Sequence, residues 1–181
     1  MKFIDIVRQR RSVRKYSDRP VPRADIERCL EAARLAPSAQ NSQPWNFAVI
    51  SGRDRVEEFG ARAFTGIYAP TSFARKASAI VVMLARPGFV ANVLGRQIQD
   101  ITFWLLDMGI AGEHLVLQAQ ELGIGTCWIG WFDMKAVRKH FALPAGWKIA
   151  GLIAMGYPEA EAGAGSRKRR TLKDIVYKWI E

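Results

Sequence analysis

The chain is short of the residues on which most side-chain catalysis and metal binding depend, with two histidines and two cysteines in 181 residues. Cys29 lies in a helical pattern and Cys127 beside glycines, far apart and in unlike contexts. Neither a disulfide framework nor a metal site is therefore expected, and a reducing compartment fits. His114 falls inside an apolar helical pattern and reads as a core histidine, while Cys127, flanked by Thr126 and Trp128, reads as packing. The sequence shows no His-Asp or Cys-His signature of nucleophilic catalysis. Long apolar runs are missing too. The longest, Ala79 to Ala85 and Ile149 to Met155, are too short to span a bilayer, and Met1-Lys2-Phe3-Ile4-Asp5 has no signal-peptide core. A cytoplasmic protein with no membrane partner is expected.

Acidic residues are outnumbered, 17 against 27 basic ones, which gives a formal charge of +10. Such a balance invites a nucleic-acid reading through counterion release. The arginines are spread through helical patterns as well as two basic runs, however, and few aromatics are interleaved with them. The charge is read instead as serving a small phosphate ligand and attracting anionic dinucleotides, with no nucleic acid as partner. The length suits a single domain, one that buries roughly 70% of its extended-chain surface.

What is present in strength is Pro37-Ser-Ala-Gln-Asn-Ser-Gln-Pro-Trp-Asn-Phe47, a stretch dense in small and amide side chains between a helical and a strand pattern. Its donors and acceptors can meet the polar edge of a ring system. Around it, Phe3, Ile4 and Val7 predict a short first helix running into Arg10. Pro22 predicts the first turn of a second helix with Ile26, Cys29, Leu30 and Ala33 inward. Trp45 to Ile50 alternates as a strand, Asp54 to Phe64 reads as a helix burying Val56 and Phe59, and Thr65 to Arg75 has loop composition. Ala79–Ala85 is apolar on both faces, as a central strand would be. A helical pattern from about Arg96 to Leu122 is expected to break near Gly109, with Ile110 to Leu122 buried and Gly123 as its left-handed cap. Asp133 caps a short helix carrying Val137 and Phe141, and Lys148 to Met155 is a further strand. Residues 159–166 read as a linker to Arg167-Lys168-Arg169-Arg170 and a segment whose Leu172, Ile175, Val176 and Trp179 call for another surface. The total is an α+β layout, a sheet between helical layers.

A phosphate group needs cations and hydrogen-bond donors, which Arg10, Ser12, Arg167 and Arg169 offer, and Arg14 is a further candidate cation for an anionic ligand edge. Together, Arg10-Arg11-Ser12-Val13-Arg14, the Pro37 stretch, Leu122-Gly-Ile-Gly-Thr-Cys-Trp-Ile-Gly130 and the C-terminal basic run resemble the nitroreductase family, the FMN-dependent NAD(P)H oxidoreductases, in that family's order over nearly the whole chain. The resemblance implies a nitroreductase-like fold with a central, mostly antiparallel β-sheet flanked by helices. It further implies one domain over 1–181, with 159–181 as linker and arm, and an intertwined homodimer with its active sites at the interface. It assigns Arg10, Arg11, Ser12 and Arg14 to the N-terminal flavin motif, and Arg167 and Arg169 to the phosphate from the C-terminal side, with Lys168 and Arg170 as the alternative register. Trp128, Ile129 and Gly130 would lay their backbone along the ring, Gly130 matching the N5 donor. Pro37, Ser38, Ala39 and Asn41 would reach the flavin of the other subunit. No clean match to the family's pyrimidine contacts occurs in Ala69 to Lys76.

The function implied is ping-pong hydride transfer from NADH or NADPH through FMN to a nitroaromatic, a quinone or a similar electron-poor small molecule. No catalytic side chain and no metal is required, because the flavin N5 carries the chemistry. The alternatives within the family are a dehalogenase, an enone reductase or a flavin-cleaving enzyme of cobamide synthesis, which differ in lids expected at about 59–75 or 89–104. Outside it stand a non-catalytic flavin-binding protein and a nucleic-acid-binding module.

Overall fold

The computed structural model describes residues 2–87, 101–159 and 168–181. Four strands, β1 (Trp45–Ser51), β2 (Ala79–Ala85), β3 (Gly125–Ile129) and β4 (Lys148–Gly156), form one sheet in the order β1-β2-β4-β3. Every neighbouring pair is antiparallel. The helices among the described residues are α1 (Phe3–Gln9), α2 (Arg23–Arg34), α3 (Arg53–Ala63), α4 (Phe103–Glu121), α5 (Met134–His140) and the short α6 (Leu172–Ile175). This is the expected α+β architecture.

The alternation of β2 decides the layering. Ile80, Val82 and Leu84 pack with Val56, Phe59 and Ala63 of α3 and Val137 of α5. Ala79, Val81, Met83 and Ala85 pack on the other side with Ile26, Cys29 and Ala33 of α2 and Met108, Ala111, Leu115 and Ala119 of α4. All seven residues of β2 are buried. Each large aliphatic side chain so placed stabilises the fold by roughly 1.5–3 kcal/mol relative to exposure.

Several local expectations change in detail. Pro22 is the N-cap of α2, one position before the first turn, and Leu30 is only half-buried. α1 buries Ile6 and leaves Phe3, Ile4 and Val7 exposed. α4 runs through Gly109 without a break. A glycine costs a helix about 1 kcal/mol, and the packing of Met108, Ala111 and Leu115 on the sheet overrides that. Residues 96–100 lie outside the described residues, as does most of the expected 89–104 lid. Thr65 to Arg75, expected as a loop, is instead a 3₁₀ helix over Gly66–Lys76. Its C-terminal turn is tied back to α3 by the Arg75 guanidinium on the Glu57 carboxylate. Two caps are as expected. Gly123 takes φ +73 after α4, and the Asp133 carboxylate accepts from the N–H groups of Lys135 at 2.9 Å and Ala136 at 3.0 Å.

Candidate active site

The basic motif leaves α1 and lies along the outer edge of β3. Arg10 is the C-cap of α1, its N–H donating to the Ile6 carbonyl. Ser12 bridges Thr126 in parallel sense, and the Val13 N–H donates to the Thr126 carbonyl at 2.8 Å. The approach is close because residue 125 is glycine. A Cβ there would stand 2.6 Å from Val13 Cγ2. Three residues after Val13, the buried Tyr16 hydroxyl donates to the Val13 carbonyl at 2.7 Å and fixes the turn. Burial, reinforced by Cys127, holds that phenol far above its ordinary pKa, so it stays a donor.

These bonds bring Arg10, Ser12 and Arg14 together at the start of β3. All three act on the Cys127 thiol. Burial raises its pKa, while Arg14, a hydrogen bond with Ser12 and Arg10 pull the other way. The net shift is upward, so Cys127 is a protonated packing residue, as its sequence context suggested. Arg10 Nε also lies 3.7 Å from Glu113 Oε1 on α4, and the Arg14 guanidinium lies 5.9 Å from the centre of the Phe73 ring. Arg11 is half-buried beside them.

From Cys127 the strand continues to Gly130, three residues and roughly 10 Å further along an extended backbone. The side chains of Trp128 and Ile129 are spent on the core. The Trp128 indole packs beside Gly112 and Gly151, and Ile129 is buried. Ile129 thus offers backbone alone, and the half-buried Trp128 offers backbone together with part of its indole. A Cβ at Gly130 would meet nothing within 4 Å among the described residues, so its backbone is open to close approach. Guanidinium and hydroxyl donors at one end, and open peptide groups about one ribityl arm away, form a donor set that fits FMN.

The second group of expected residues sits on α4. Pro37 to Gln43 makes a 3₁₀ turn at Ala39–Asn41 with left-handed backbone at Gln40 (φ 52), Asn41 (φ 53) and Gln43 (φ 42). Such conformations cost non-glycine residues about 1–2 kcal/mol each and persist only where the surroundings impose them. The imposing group is Asp107, 2% exposed on α4. Its carboxylate accepts from the Ala39 N–H at 2.9 Å and from the Ser42 hydroxyl at 3.3 Å. Ser38 Oγ accepts from the Gln43 N–H at 2.9 Å, and the Gln43 amide donates to Asn41 Oδ1 at 3.0 Å. Asp107 was absent from the sequence candidates. Its signal is that it is the one charged residue from Phe103 to Gly112.

The structure thus assembles two sets on different elements, Arg10–Arg14 with β3 and Pro37–Asn41 on α4. Arg169 is exposed at the start of the C-terminal segment, and Arg167 lies outside the described residues. His114, expected in the core, is half-buried instead and lines the groove between α1, α2 and α4, with Nδ1 3.2 Å from the Ala32 carbonyl. Among the described residues no cluster of His, Cys, Asp and Glu could hold a metal ion, and no helix is long and apolar enough to cross a membrane.

Comparison with known proteins supplies the rest. The family model described as Nitroreductase family matches residues 7–157. A protein of Archaeoglobus fulgidus provisionally named NADH dehydrogenase/NAD(P)H nitroreductase is 37% identical over 163 residues, covering 87% of this chain and 86% of that relative. A nitroreductase family protein of Clostridium difficile superposes with a TM-score of 0.82 at 27% identity, over 99% of this chain and 100% of that one. A second protein of that species, an FMN-dependent nitroreductase, superposes with a TM-score of 0.70 at 26% identity, over 98% and 97% of the two chains. On sequence and on fold together, the chain is an oxidoreductase that belongs to the nitroreductase family.

Proposed function

We propose that the protein is a homodimeric, FMN-dependent oxidoreductase of the cytoplasm that uses NADH or NADPH to reduce electron-poor acceptors such as nitroaromatics and quinones. The observation that carries this reading is the convergence of Arg10, Ser12 and Arg14 at one end of β3, with the open backbone of Gly130 at the other. FMN bound there would supply hydride chemistry between the nicotinamide and the acceptor in a ping-pong cycle. Arg10 and Ser12 bind its phosphate, joined from the C-terminal side by Arg167 and Arg169. Arg14 would favour negative charge on the bound ring. The backbone of Trp128 to Gly130 orients the ring.

The chain forms one domain over 1–181, with 159–181 as linker and arm. Dimerisation is supported by apolar surface at both ends of the chain. A groove of about 350 Å³ between α1, α2 and α4 is lined by Phe3, Ile6, Leu35 and Leu117, and the C-terminal segment exposes Leu172, Ile175, Trp179 and Ile180. A second copy covers these surfaces, and its Pro37–Asn41 loop completes each flavin site.

The test is the visible spectrum of the purified protein, taken again without oxygen after NADH and then NADPH. A flavin spectrum that bleaches identifies cofactor and donor, whereas a colourless protein that takes up no added FMN overturns the reading. Arg10→Ala is expected to lose FMN and keep the fold, read as flavin occupancy against circular dichroism. Full occupancy in that variant would remove Arg10 from the phosphate site.

A further inference from the structure

The 3₁₀ helix Gly66–Lys76 is fastened to the loop after β3 at several points. The Trp131 indole N–H donates to the Ile67 carbonyl at 2.8 Å. The Thr71 hydroxyl lies 2.8 Å from the carbonyl oxygens of both Tyr68 and Trp131. The Tyr68 and Trp131 rings are 5.3 Å apart and tilted by 55°. At its other end the same 3₁₀ helix places Phe73 under the Arg14 guanidinium. The segment therefore spans from the basic motif to the residue that follows Gly130.

A tryptophan fixed through its N–H, its backbone carbonyl and a tilted ring contact would be buried if it only filled space. Trp131 remains 54% exposed. A large π-surface already held in place loses little conformational freedom when something flat stacks on it. Its electron-rich face complements an electron-poor ring.

We propose that Trp131, backed by Tyr68, is the specificity-determining wall of the acceptor site and selects flat, electron-poor aromatic acceptors over compact oxidants. The inference rests on the flavin reading, since it is the Gly130 backbone beside the ring that places Trp131 at the reacting edge.

Trp131→Phe and Trp131→Leu both remove the indole N–H and are alike in bulk, so they differ chiefly in keeping or losing a ring. Each is loaded with FMN beside the wild type. Three quantities are measured: the FMN dissociation constant, KM and kcat for p-nitrobenzoate and for ferricyanide, and the dissociation constant of unreactive 2-naphthoate from the flavin difference spectrum. Trp131→Leu is expected to weaken 2-naphthoate binding and raise KM for p-nitrobenzoate by about ten-fold relative to Trp131→Phe. FMN affinity and ferricyanide turnover are expected to agree within about two-fold. Equal 2-naphthoate constants in the two variants overturn the proposal, as does a loss that falls equally on ferricyanide. A wild type that binds no FMN overturns the flavin reading and the proposal with it, and it does so before any variant is made.

Discussion

Two segments reach out from the sheet and its helices, and they are held in opposite ways. The Pro37–Gln43 loop is bent into left-handed backbone at three non-glycine positions and is imposed from below by the buried Asp107 carboxylate. Among the described residues, the C-terminal segment is held by local bonds. Thr171 and Asp174 form a capping box on α6, and the Arg170 guanidinium reaches the Asp174 carbonyl. Beyond it Tyr177, Trp179 and Ile180 are exposed. The loop is finished within one chain and can be presented rigidly. The C-terminal segment carries apolar side chains with no surface of their own, which is the condition of a part that completes its packing elsewhere.

The sharpest break of this contrast is deletion of 168–181. On the proposed reading of a flavin-binding homodimer, the expected outcome is a shift from dimer to monomer in light scattering, together with loss of bound FMN. A truncated protein that stays dimeric and yellow would show the segment to be dispensable. Next in size is Asp107→Ala, which strands the Ala39 N–H and the Ser42 hydroxyl. It is expected to cost about 2 kcal/mol and to lower Tm by roughly 5 °C, read by calorimetry. Asp107→Asn, which can still accept from Ala39, should cost less.

The smallest effect belongs to Asp174. Its carboxyl is held below the usual aspartate range by the Thr171 N–H and hydroxyl. A depressed folded-state pKa gives a contribution that is present above the unfolded value, about 3.9. That contribution is lost as pH falls through the lowered one. Because the group is fully exposed, acid is expected to fray α6 without moving the global unfolding transition. Carboxyl chemical shifts followed beside circular dichroism would show it, and a common midpoint for both would contradict the separation.

The same contrast explains what could be read from the amino acids alone. Features decided within a few residues were legible: the two apolar faces of β2, the left-handed Gly123, the Asp133 cap, and the order of the basic and glycine-rich motifs. Features decided across the fold were not. Asp107 looks like an ordinary helix acid until Ala39 and Ser42 arrive from 68 and 65 residues away. Gly66–Lys76 has the composition of a loop and becomes helical because Trp131, Thr71 and Glu57 fasten it. Gly109 suggests a break only while the packing on either side of it is unknown. In the candidate site, the guanidinium and hydroxyl donors were legible by type. The division of labour within β3, with Ile129 buried on the α3 face and Trp128 half-buried on the α4 face, follows from strand register.

The place of β2 and β4 in the sheet also sets a timescale. Each has a strand on both sides and helices over both faces, so their amides meet deuterated solvent chiefly when the whole domain opens. β3 stands at an edge, closed there by the bridge from Ser12 to Thr126. A ligand that draws Arg10 and Ser12 onto a phosphate tightens that edge and slows exchange across Gly125–Ile129. β2 and β4 then serve as the reference clock. The lag between the strands, read in minutes or hours by mass spectrometry, reports phosphate arrival even for ligands that carry no colour.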